Sequence, residues 1–215
     1  MKQSFLCLLL LMHVCLHAQD VRVQAHATCN GRHIQESDTL PGGIIPETVR
    51  FYLTGFQFFR NGRQVFREEN SYHLVDREGT WTITVPEYDE IAFNLGTDSL
   101  VNVSGALGGD LDPTKGMYWT WNSGYINVKL EGISPMSKGR NNGFGLHLGG
   151  YMPPFQTVYL VKSPATATGG IRIELDVCPM LEKVDWQQHY NVMSPSAEAV
   201  RLAKLLGQSI RVYAE

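Results

Sequence analysis

No stretch of this sequence gathers lysine or arginine into a basic stripe. Its 18 Lys and Arg against 21 Asp and Glu leave a formal net charge of −3. Nucleic-acid binding through phosphate neutralisation needs clustered cations, so that reading is set aside. The common enzyme motifs are missing as well: there is no HExxH, no GxSxG and no P-loop lysine. "GFGLHLGG" (143–150) opens as GxG but carries Leu148 at the sixth place and follows no βαβ pattern, which argues against a dinucleotide site. No nucleophile–base pair and no constellation of carboxylates is readable, so the chain is not expected to be an enzyme. Past the first 18 residues no apolar run approaches the ~20 residues a membrane-spanning helix needs, and no transmembrane segment is expected.

The opening "MKQSFLCLLLLMHVCLHAQD" supplies Lys2, a mostly apolar run from Phe5 to Leu16, and Ala18 as a small residue at a cleavage point. It reads as a signal peptide over residues 1–18, followed by a single domain over 19–215. Cys15 lacks the small residue that a lipoprotein site wants before it, so no lipid anchor is expected. The mature chain is expected in the periplasm or at the cell surface. Of the four cysteines, Cys7 and Cys15 leave with the leader. Cys29 and Cys178 remain, a disulfide candidate in an oxidising compartment, with thiolate metal ligation the alternative reading.

What the sequence has in quantity is period-two alternation. "VRVQAHA" (21–27), "TVRFYLTGFQFF" (48–59), "TWTITV" (80–85), "EIAFNLG" (90–96), "YINVKL" (125–130), "TVYLVK" (157–162) and "IRIELDV" (171–177) read as strands. Turn signals bound them: "RNGR" at 60–63, "REG" at 77–79, "NNG" at 141–143 and "ATGG" at 167–170. Many short strands without intervening helices imply an all-β, antiparallel β-sandwich. Two stretches break the pattern. Residues 96–118 form a long Gly/Asp/Ser-rich loop, of a length that is usually functional or disordered. "SPSAEAVRLAKLLG" (194–207) reads as one short C-terminal helix, with Ser194 as N-cap, Pro195 at the first helical position and Gly207 at the stop. Val200, Ala203 and Leu206 would line its packed side, and "SIRVYAE" would follow as a last strand.

Candidate chemistry is sparse. "GDLDPTKG" (109–116) spaces Asp110, Asp112 and Thr114 like a calcium loop, but its glycine falls at the seventh place and no glutamate closes the ring. An ordinary Asx/Pro turn is the better reading. Among the histidines His147 stands out, in a short apolar strand ending in glycines where its ring would be partly buried and fixed. His26 lies opposite the valine face of its strand, and His73 alternates with Tyr72 and Leu74. Met117 and the other methionines suit gap filling, with Cu(I) ligation as the alternative. On a strand, Trp119 and Trp121 would point to the same face. They would fill a core or stack on a sugar or peptide.

"MYWTWNSGYINVKLEG" followed by "FGLHLGG" resembles the paired signature of the MbnP-like proteins, relatives of secreted copper-binding proteins of methane-oxidising bacteria. "VRFYLTGFQFFRNGR" and "YHLVD" resemble upstream strands of that family, and the likeness runs from about residue 21 to 175. The resemblance implies an exported β-sandwich that binds copper through histidine and a tryptophan oxidised to kynurenine by a di-haem c-type, peroxidase-like partner. Carried over by position, it implies Trp119 as the modified residue, with Trp121 as fallback, and His147 as leading ligand. Where many relatives carry a further histidine, this chain has "GDLDP", Tyr118 and Thr120, so His26, His73 or Met117 would have to complete the site. A ligand-recognition sandwich, taking glycan or peptide at its Trp-rich edge without metal, is the other function expected from these residues.

Overall fold

A computed structural model describes residues 18–166 and 169–215. Apart from Ala18, the expected leader lies outside the described residues. The strands are β1 (Gln19–Cys29), β2 (Arg32–His33), β3 (Ile45–Arg60), β4 (Arg63–Arg67), β5 (Tyr72–Asp76), β6 (Glu78–Val85) and β7 (Glu90–Leu95). They continue with β8 (Tyr118–Trp119), β9 (Gly124–Ile133), β10 (Gly143–Gly149), β11 (Tyr159–Pro164), β12 (Gly170–Asp176), β13 (Asn191–Val192) and β14 (Ile210–Ala214). Short helices are α1 (Ser99–Ser104), α2 (Cys178–Leu181) and α3 (Ala197–Gln208). The strands build the expected β-sandwich, antiparallel except where β1 runs parallel to β12 and β10 to β13. Its hydrogen-bonded order runs β13-β10-β9-β3-β5-β6-β1-β12-β14, with β7 pairing both β3 and β11.

The alternation puts one face of each strand inside. Val21, Val23, Ala25 and Ala27 of β1 are all buried in the main core. In β3 the apolar positions run Val49, Phe51, Leu53 and then Phe56, Phe58, so the phase slips by one between them. The slip coincides with a register shift between Thr54 and Gln57 and with Gly55 at φ +65°, a β-bulge. The bulge lets one 16-residue strand serve two neighbourhoods: its first half pairs β9 and β5, its second half β7 and β4. The turn after it is formed by Asn61 and Gly62, both at positive φ, as a two-residue "NG" hairpin requires.

Cys29 and Cys178 form a disulfide, with Cα atoms 5.0 Å apart, joining the end of β1 to the start of α2. The C-terminal helix starts later than the sequence suggested. The N-cap is Ser196, whose Oγ accepts from the Ala199 amide at 3.1 Å. Glu198 then pairs with Arg201 in the first turn. Gly207 lies inside the helix rather than at its stop, because the Tyr159 ring occupies the place where its side chain would go. Ala199, Leu202, Ala203 and Leu206 face the core, while Val200 is half-buried.

The stretch 96–118 is a structured cover rather than an open loop. It holds α1 and two 3-10 turns and lies against the outer face of the sheet. There Tyr52, Val101, Leu111, Met117, Trp119, Tyr125 and Ile126 form a second, smaller core. The "DPTKG" segment makes the Asx turn, with the Asp112 carboxylate accepting from the Thr114 amide at 2.8 Å and its hydroxyl at 2.7 Å. The Asp110 carboxylate accepts from Lys115 Nζ at 2.6 Å and from the Leu74 amide at 3.0 Å.

Candidate metal centre

Strand β10 alternates between the two faces of the sheet. Phe144, Leu146 and Leu148 enter the main core, so Gly145, His147 and Gly149 face the other side of the sheet, Gly145 against Asn191 and Met193 and Gly149 against Trp119. His147 is nevertheless only 6% exposed. It sits opposite Lys129 of β9, and its Nε2 lies 2.7 Å from Glu131 Oε1. An ionised carboxylate can only accept, so Nε2 carries the hydrogen and, in the neutral ring, Nδ1 keeps the lone pair. This arrangement of imidazole and carboxylate orients many metal-binding histidines.

The pair belongs to a polar row across the outer face. Lys129 Nζ is 3.4 Å from Glu131 and donates to the Gly116 carbonyl at 3.3 Å. Arg50, opposite Lys129 on β3, donates to Asp76 at 2.9 Å and to the Lys115 carbonyl at 2.9 Å. The row thus ties the cover to the sheet beside His147. The hydrogen bond from His147 holds the Glu131 carboxyl down to about 2, against the opposing effect of burial, with Lys129 adding to the lowering. A depressed carboxyl contributes stability above its ordinary value of 4.5 and loses it as pH falls toward about 2. Glu131→Gln is therefore expected to flatten the acid limb of a stability–pH curve in that window. Urea midpoints of both proteins at a series of pH values check this, and parallel acid limbs would contradict it.

Trp119 completes the corner. Gly149 has no side chain, and the Trp119 ring fills the space: its Cζ3 and Cη2 lie 2.7 and 2.8 Å from where a Gly149 Cβ would stand. Trp119 thus lies over the residue two along from His147 on the same face of β10. Strand pairing ends at Trp119, so Trp121 does not alternate with it on a strand; it sits in the turn before β9. The two rings still meet, with centroids 5.8 Å apart and planes tilted by 45°. Trp119 is 6% exposed and Trp121 65%, so one indole is held in the small core and the other faces solvent above it.

Of the other candidate ligands the two histidines are placed apart, and Met117 is not. Met117 is fully buried in the small core with Trp119. His73 is three strands from His147 in the order β10-β9-β3-β5, ~14 Å at the usual strand spacing. Its ring stacks on Trp81 at 4.2 Å and its Nε2 meets Glu68 at 2.8 Å. His26 lies on β1 beyond β6 in the same order, stacked on His33 at 4.1 Å. Burial first, then the neighbouring His33, lowers the His26 pKa. Among the described residues no three His, Cys, Asp or Glu side chains are grouped so as to hold a metal ion. Sequence reasoning missed Glu131 and Lys129. Their signal was the polar alternation Asn127, Lys129, Glu131 on a strand whose other face is apolar.

A buried, carboxylate-oriented histidine beside a packed tryptophan, on the outer face of a β-sandwich, defines a protein with one preformed imidazole and an aromatic neighbour. The chain belongs to the MbnP family, whose model matches residues 18–194. Its fold is similar to the structure of MbnP from Methylosinus trichosporium, with a TM-score of 0.63 over 86% of this chain and 87% of that one, at 17% identity. No curated protein sequence matches.

Proposed function

We propose that this chain is an exported copper-binding protein, not itself an enzyme, that holds the metal at the Trp119/His147 corner. The observation carrying the reading is the His147–Glu131 pair lying on the same strand face as the glycine over which Trp119 packs. The donor set fits one part of such a site: a neutral imidazole, oriented through its other nitrogen, suits copper. One imidazole does not make a tight site. A second ligand would come from Trp119, because oxidative opening of an indole gives an aryl amine and a ketone. That opening removes four electrons, takes oxygen from water and releases the indole C2 carbon as formate. Family membership supports it, and a di-haem c-type, peroxidase-like partner would take the electrons and pass them to peroxide. Glu131 keeps the Nε2 proton in place. His26 and His73 do not enter this site, while Met117 packs in the same small core as Trp119.

Export is part of the same proposal. It is supported by the leader-like opening and by the Cys29–Cys178 bridge, which belongs to an oxidising compartment. No helix among the described residues is long and apolar enough to cross a membrane.

Titrating Cu(I) and Cu(II) into the mature protein, beside His147→Ala, tests the reading. Binding that the substitution abolishes is expected, and equal binding by both proteins would move the metal elsewhere. The exposure of Trp121 favours a second reading, recognition of glycan or peptide by an intact Trp edge. That reading requires indole fluorescence to respond to those ligands and not to copper.

A further inference from the structure

Two glycines flank His147 on its own face of β10, and each leaves room for a side chain from elsewhere. Over Gly149 lies the Trp119 ring. Over Gly145 lies the thioether of Met193, whose Sδ is 3.4 Å from where a Gly145 Cβ would stand. The strand register explains the second placement. β13 runs parallel to β10, with Asn191 beside Gly145 and Val192 beside Leu146. Val192 and Leu146 both enter the main core, so Asn191 and Met193 take the other face. Continued by one residue, the same register puts Met193 beside His147, one strand spacing away, ~4.8 Å.

Met193 is not packed as a core methionine is. Met117 and Met180 are fully buried, whereas Met193 is 41% exposed, just past the outermost strand of the sheet. Its backbone is held on both sides. Before it, the Gly145 amide donates to the Tyr190 carbonyl at 2.9 Å. After it, Pro195 packs 3.2 Å from the Cβ position of Gly150, and Ser196 caps α3. The side chain, half-exposed and with the three rotatable bonds of any methionine, can turn from Gly145 toward His147. Glu131, which accepts from His147 Nε2, lines the same depression as Gly145, Asn191 and Met193.

A fixed backbone thus carries an adaptable thioether beside an oriented imidazole. Thioethers are soft donors that select Cu(I), while imidazole serves copper more generally. We propose that Met193 is a copper ligand on the β13 side of His147, and that it biases the site toward Cu(I). The inference rests on the reading that copper is held at His147. It adds a donor that does not depend on oxidation of a tryptophan.

Titrations with Cu(I) and Cu(II), and copper X-ray absorption of the Cu(I)-loaded mature protein, test it on wild type, Met193→Leu, Met117→Leu and His147→Ala. Leucine keeps the apolar volume of methionine without its sulfur, and circular dichroism checks that the variants fold. A sulfur neighbour of copper is expected in wild type and in Met117→Leu, and none in Met193→Leu. The Cu(I) affinity of Met193→Leu should fall by about 10-fold or more, at least the cost of losing a group that only orients a ligand. Its Cu(II) affinity should change less. Wild-type Cu(I) affinity in Met193→Leu, with His147→Ala still losing it, would overturn the Met193 ligand and leave copper at His147. A sulfur neighbour lost in Met117→Leu instead would overturn it in favour of the Trp119 side. Cu(I) binding that His147→Ala leaves untouched would end both readings.

Discussion

Replacing Cys29 and Cys178 together by serine is expected to lower stability by about 3–5 kcal/mol, the range for a bridge that closes a very long loop. The two residues are 149 apart in sequence, so the bond removes much of the freedom of the unfolded chain. In the folded state it acts where β1 ends. There β1 runs parallel to β12, an arrangement without a short hairpin to fix it, and α2 follows directly from β12. Urea midpoints of the oxidised protein and the double variant check the figure. A shift of less than about 1 kcal/mol would mean that the strand pairing alone fixes that junction.

Asn127→Ala is expected to cost about 2–4 kcal/mol and to release the cover from the sheet. Asn127 is buried on β9, and its Oδ1 accepts from the Thr97 amide at 2.8 Å and the Thr97 hydroxyl at 3.0 Å. Its Nδ2 donates to the Thr157 hydroxyl at 2.8 Å. Thr97 in turn accepts from Asn102 Nδ2 at 3.0 Å, and Asn102 Oδ1 takes the Tyr125 amide. One side chain therefore anchors the start of the cover, α1 and the strand after the tryptophans. Without it the buried Thr97 amide loses its partner, and the Thr97 and Thr157 hydroxyls each lose one of two. Hydrogen exchange should speed up across 98–118 while β1 and β12 stay protected, and copper affinity should fall although His147 is untouched. Uniform exchange across the sheet would contradict this local role.

Much of the fold was legible because strands write their pattern locally. The phase slip of β3 stands in the sequence itself, in the step from Leu53 to Phe56, and Gly55 marks the bulge that produces it. The packing of 96–118 was not legible, because it depends on bonds between distant residues such as Thr97 and Asn127. At the last helix the choice between Ser194 and Ser196 falls to the residue whose hydroxyl reaches Ala199. Gly207 looked like a stop because its need for space lies in Tyr159, on another strand. Of the site, the structure sets Trp119 over Gly149, two residues along β10 from His147. Strand order, which no spacing reports, sends His26 and His73 to partners of their own: His33 for one, Glu68 and Trp81 for the other.

The most direct measurement is made on protein purified from its native producer: copper per chain, with the mass of the peptide containing Trp119 and Trp121 from the same sample. The account predicts bound copper and a kynurenine mass at Trp119, with Trp121 unchanged. Copper-free protein with both indoles intact, and no copper uptake on titration, would contradict it.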